Sequence, residues 1–163
     1  MGFMAGKMQL YATGSNHCRM FTPSQKDVRE FFCSAHAKSL AGTPLTPLET
    51  VAAQWISEHP EHHAELADLE AALAAEYKVD GGRANPFLHL SMHLTISEQV
   101  SIDQPRGIRQ AVELLAKRRG SLHTAHHEVM DSLGEMVWAA QRSGTPFDGA
   151  RYIASVRRRA TRG

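Results

Sequence analysis

The chain has 163 residues, 42% of them apolar, enough for one continuous hydrophobic core. Lys and Arg total 18 against 17 Asp and Glu, so no global field draws the chain onto nucleic acid or anionic lipid, and any such binding must be local. Two cysteines, Cys18 and Cys33, make neither a disulfide framework nor a zinc-finger spacing. No apolar run reaches the ~20 residues a membrane span needs, and the N-terminus lacks the order of a secretory signal, so a cytoplasmic protein without membrane contact is expected.

Residues 1–19 hold Gly2, Gly6, Gly14, Ser15 and Asn16 with no sustained period and read as a flexible extension; residues 20–160 read as a single helical domain. Thr22-Pro23-Ser24-Gln25 is a helix-start signature, repeated in Thr46-Pro47-Leu48-Glu49 and Thr145-Pro146-Phe147-Asp148. The first helix carries Val28, Phe31, Phe32, Ala35 and Leu40 and closes near Gly42. The second runs from Pro47 to about Glu58 with Val51, Trp55 and Ile56 inward, and Pro60 begins a third, alanine-rich helix through Leu66, Leu69 and Leu73 to about Tyr77. Gly81-Gly82 forces a loop.

Asn85-Pro86 opens a fourth helix reaching about Gln104, and a fifth spans Pro105 to Arg119 before Gly120. The longest runs from Ser121 to Ser143 and closes at Gly144; the last, Pro146 to Arg159, turns Phe147, Ile153 and Val156 inward. No stretch alternates at period two long enough for a strand. The expected fold is all-α, a compact bundle of about six to seven helices.

Met20-Phe21-Thr22-Pro23-Ser24-Gln25 and Pro44-Leu45-Thr46-Pro47-Leu48-Glu49 carry a family resemblance. It strengthens through Asn85-Pro86-Phe87-Leu88-His89-Leu90-Ser91-Met92-His93-Leu94, Asp103-Gln104-Pro105 and Leu133-Gly134-Glu135-Met136. Together they resemble the bacterial family catalogued as domain of unknown function 1841, from about Met20 to Arg159. Members commonly start at the equivalent of Met20, so the resemblance implies that the first 19 residues are either an upstream extension or the product of a misplaced start codon. The resemblance implies a single bacterial cytosolic domain and brings no activity and no catalytic residue.

Ten histidines placed at random would give roughly 0.6 pairs at the i,i+4 spacing that sets two side chains on one helix face. Three are present: His59/His63, His89/His93 and His123/His127. The first is discounted because Pro60 lies inside it. In each of the others two imidazoles can converge on one cation. If the fourth and sixth helices are neighbours, His89, His93 and His127 with Asp131 or Glu135 make a site for Zn(II), Fe(II), Mn(II) or Ni(II). Neither helix has the Glu-x-x-His of di-iron bundles nor the glutamate that a metalloprotease places beside its first histidine. The competing reading makes these rings neutral imidazoles bonded to carbonyls or to Glu98 and Glu135.

Other features favour plainer readings. Cys33, three residues before His36, packs as a small apolar side chain beside Phe32 in preference to forming a thiolate. Gly81-Gly82 lacks the lysine and strand of a phosphate loop. Trp55, Trp138, Met92, Met130 and Met136 read as core. Lys117-Arg118-Arg119 suits a helix C-terminus. Arg151, Arg157, Arg158, Arg159 and Arg162 make a basic C-terminal tail. The functional alternative to metal binding is therefore a non-catalytic adaptor or scaffold whose tail weakly contacts RNA or another nucleic acid, or a protein partner.

Overall fold

The computed structural model of the protein describes residues 24–78 and 84–162; the expected N-terminal extension, Cys18, Thr22-Pro23 and Gly81-Gly82 lie outside the described residues. These hold eight α-helices and no strand. They are α1 (Gln25–Ala41), α2 (Pro47–Ser57), α3 (His63–Leu66), α4 (Leu69–Ala74), α5 (Pro86–Ile102), α6 (Ile108–Arg119), α7 (Leu122–Ser143) and α8 (Gly149–Thr161), with a 3-10 turn at Pro60–His62. Two compact units divide the described residues, one up to Leu94 and one from Thr95 on. In the first, α1 packs against α2, α3 and α4; in the second, α6, α7 and α8 pack on one another.

Local chemistry explains the boundaries. Ser24, the residue after the expected Thr22-Pro23 pair, caps α1 in a reciprocal box with Asp27: the Asp27 amide donates to Ser24 Oγ at 3.1 Å and the Ser24 amide to Asp27 Oδ2 at 2.9 Å. Thr46 and Glu49 make the same box at α2, as expected, and Lys38 Nζ reaches Glu49 Oε1 at 2.7 Å. Gly42, Gly120 and Gly144 close α1, α6 and α7 in left-handed conformation, as expected.

The helix count exceeds six to seven because the expected third helix is broken into the 3-10 turn, α3 and α4. Asp68 turns extended and its carboxylate accepts from the Ala71 amide at 2.9 Å, starting a new helix where the old one stops. Two other boundaries move for similar reasons. Asp103 accepts from the amides of Gly107 and Arg109 at 3.0 and 3.1 Å, which holds the turn before α6 and delays that helix to Ile108. At the last helix Asp148 is the cap instead of Thr145, accepting from the Arg151 amide at 2.9 Å. Gly149 follows because a Cβ there would stand 2.9 Å from that of Pro105.

Phe32, Ile56, Leu66, Leu90 and Leu94 are buried in the first unit; Ile108, Leu115, Val129, Leu133, Tyr152 and Val156 are buried in the second. Leu40, expected inward, is 75% exposed, and Leu69 and Leu73 are exposed on the short α4. Trp138, expected in the core, is 59% exposed and carries the Arg142 guanidinium 4.9 Å from its ring centroid.

One buried charge organises the first unit. Arg29 Nη1 donates to the carbonyls of Ala72, Leu73 and Ala75 at 2.7, 3.2 and 2.8 Å, and its guanidinium lies 5.5 and 5.6 Å from the ring centroids of Tyr77 and Phe87. The cation thus ends α4 by satisfying its last carbonyls. Arg29→Met, which keeps the bulk and removes the donors, is expected to cost about 3 kcal/mol and lower Tm by roughly 10 °C in calorimetry, with Arg29→Lys recovering less than half.

Candidate metal centre

The centre is built on the end of α2. The capping box at Thr46 and the Lys38 ion pair on Glu49 fix the start of that helix, and its last turn presents Trp55, 7% exposed. The chain then leaves the helix: His59 takes φ −128° and ψ 64°, and Pro60 starts the 3-10 turn. His59 is turned back and buried, with its Nδ1 2.7 Å from the Trp55 carbonyl oxygen. A carbonyl only accepts, so Nδ1 carries the proton, and in the neutral ring Nε2 holds the lone pair.

That Nε2 faces α5. Asn85 Oδ1 caps α5 by accepting from the amides of Phe87 and Leu88 at 3.0 and 3.2 Å, and one turn in, His89 and His93 follow at i,i+4 on one face. His89 Nε2 lies 2.9 Å and His93 Nε2 3.2 Å from His59 Nε2. The ring centroids of His59 are 4.7 Å from each of the other two, which are themselves 4.9 Å apart. His93 is fully buried and its ring stacks on the Trp55 indole at 4.1 Å and 19°.

One lone pair cannot accept well from two N–H donors at once. Nitrogen ligands about 2.0–2.1 Å from a tetrahedral ion stand roughly 3.3 Å apart, close to these separations. Three Nε2 atoms converging with one tautomer already set by a backbone carbonyl is the donor arrangement a transition-metal ion uses.

His62 flanks the cluster, its ring nearly parallel to His59 at 5.7 Å and 5.7 Å from that of His89. Burial pulls His62 below its usual range, opposed by Glu61, whose Oε1 is 4.0 Å from His62 Nε2. Partial burial acts to raise the Glu61 carboxyl; its own backbone amide and the imidazoles of His59, His62 and His89 outweigh that and leave it lowered. His63 belongs elsewhere: its Nε2 is 2.8 Å from the Ile56 carbonyl and its ring tilts against His36 at 4.9 Å. Burial, then His63, lowers His36. Cys33 is buried, and burial followed by the Asp68 charge pushes its thiol up, in keeping with the apolar reading.

Of the residues singled out in the sequence, His89 and His93 are brought together. His123 and His127 form the second pair on α7, ring centroids 4.5 Å apart, with His127 exposed. Asp131 Oδ2 and Glu135 Oε1 each stand 3.4 Å from Arg159, whose Nε donates to Ser132 Oγ at 2.9 Å. His126, between the pair, points inward and is buried. His59, dismissed on sequence because of Pro60, is the hub of the cluster. The usable signal was the density of His59, His62 and His63 within five residues beside a helix end.

The C-terminal arginines divide. Arg159 is held by Ser132, Asp131 and Glu135, and Arg157 Nη2 donates to Gln110 Oε1 at 3.3 Å, while Arg151, Arg158 and Arg162 are exposed. Arg119 pairs with Glu128 and donates to the Arg159 carbonyl at 2.9 Å, so the basic end of α6 serves packing. Among the described residues no helix is long and apolar enough to cross a membrane.

Compared with known families, residues 24–158 match the model of a domain of unknown function, DUF1841. The chain belongs to the DUF1841 family. No curated protein and no solved structure matches this DUF1841 chain. What this DUF1841 domain can do chemically rests on its own side chains, foremost His59, His89 and His93.

Proposed function

We propose that the protein binds one divalent transition-metal ion through Nε2 of His59, His89 and His93. The supporting observation is the bond from His59 Nδ1 to the Trp55 carbonyl, which aims the His59 lone pair at two further Nε2 atoms 2.9 and 3.2 Å away. Three neutral imidazoles suit Zn(II), Ni(II) or Fe(II) better than the oxygen-seeking Mn(II). Three protein ligands leave one tetrahedral position for water or another small donor, the arrangement of zinc sites that do chemistry as opposed to the closed four-ligand structural kind. His62 flanks the rings of His59 and His89, with Glu61 beside it.

Protein purified without an affinity tag, stripped with chelator and titrated with Zn(II) is expected to take up about one equivalent per chain, read by elemental analysis. Uptake well below one, unchanged in His93→Ala, overturns the reading. The same titration on His127→Ala tests the expectation that His127, with Asp131 or Glu135, completes the shell: loss of affinity supports it, and unaltered affinity confines the site to the first unit. The adaptor reading draws less support, because Arg159 and Arg157 of the basic tail are engaged within the protein.

A further inference from the structure

We infer that Trp55 is the positioning residue of this centre, setting two of its three ligands by two different contacts; the inference rests on the metal reading above. Its backbone carbonyl accepts from His59 Nδ1 at 2.7 Å, which fixes the tautomer and aim of one imidazole. Its indole lies over the His93 ring at 4.1 Å and 19°, which fixes the plane of a second. The residue is buried at the last turn of α2, a helix whose start is locked by the Thr46–Glu49 box and by Lys38, so both contacts come from a rigid element.

The need for such a residue follows from imidazole itself. The torsion turning the ring about its bond to Cβ is broad, so an unconstrained ring loses rotational freedom when it ligates an ion. A neighbour that holds the plane beforehand removes that loss, and outer partners of this kind change affinity by about ten- to a hundredfold. Substitution of Trp55 keeps its carbonyl, so side-chain variants report the stack alone.

The test uses full-length protein with Zn(II) and Co(II) as probes. Trp55→Phe, which keeps an aromatic face, is expected to bind Zn(II) with nearly wild-type affinity. Trp55→Met, similar in reach but without a ring, is expected to bind about tenfold more weakly. It is also expected to shift the visible bands of bound Co(II), a readout that a merely structural role would leave unmoved. Wild-type affinity and an unchanged Co(II) spectrum in Trp55→Met overturn the inference while leaving the metal site standing; wild-type affinity in His93→Ala removes both. If Trp55→Met does not fold, Trp138→Phe leaves Trp55 as the sole tryptophan. One equivalent of Cu(II) should then quench most of its emission, and undiminished emission on Cu(II) binding overturns the inference.

Discussion

His59→Ala is expected to weaken Zn(II) binding by about a hundredfold or more in competition with a chromophoric chelator. Closed zinc sites in small domains are worth about 10–16 kcal/mol over four ligands, so one ligand carries roughly 3 kcal/mol, a factor of about a hundred. His59 Nε2 is within hydrogen-bonding distance of both others, so its loss removes the nitrogen that joins His89 and His93. The protein should still fold. His59 lies at a helix junction, and its removal leaves the Trp55 carbonyl without one bond, a cost of about 1 kcal/mol. His63→Ala is the control, since its Nε2 is engaged by the Ile56 carbonyl; it should bind zinc like the wild type. Equal affinity in His59→Ala and wild type would end the metal reading.

The metal-free protein is expected to lose stability as pH falls below about 6.5, chiefly through His126. Burial drags this imidazole from 6.5 to about 3, with His127 and His123 adding to the shift. A depressed histidine stays neutral in the folded chain while the unfolded chain takes up a proton. Stability is therefore intact above 6.5 and drains away as pH falls toward 3. At 1.36 kcal/mol per unit the loss from His126 alone reaches about 2–3 kcal/mol at pH 4.5. His36 and His62, also lowered by burial, add slope of the same sign. His126→Leu isolates the larger share: urea midpoints of variant and wild type, compared at pH 7 and 4.5 with chelator present, should converge on acidification. A constant gap between them would show that His126 is protonated in the fold.

Much of the helical framework was legible because backbone capping is local chemistry. Thr46 with Glu49, Asn85 before Pro86, and the closing glycines 42, 120 and 144 are read from a few adjacent residues, and the structure has each where it was expected. What failed was competition between caps. Asp148 outcompeted Thr145, and Asp68 split a stretch that alanine content alone would have kept helical. Periodicity also overstated burial for Leu40, Leu69 and Leu73, which lie in the end turns of their helices, and for Trp138, whose exposed ring carries Arg142 instead.

For the site, the i,i+4 rule found His89 and His93 and could not find His59. That rule counts neighbours along one helix, whereas His59 reaches the pair by leaving its helix and folding its ring back onto the Trp55 carbonyl, 30 and 34 residues away in sequence from its partners. On sequence alone Pro60 argues against His59 as a partner of His63. In the structure it begins the turn that follows His59, so the break in the helix is part of how the ring comes to face α5.

Arg29 has a consequence for mutagenesis. Its guanidinium lies over both Tyr77 and Phe87, whose rings meet edge to face at 6.3 Å, so one side chain of α1 holds two aromatic rings at once. Because one cation faces both rings, removing either ring loosens the other's hold on Arg29, so Tyr77→Leu and Phe87→Leu together should cost measurably less in Tm than the sum of the two alone.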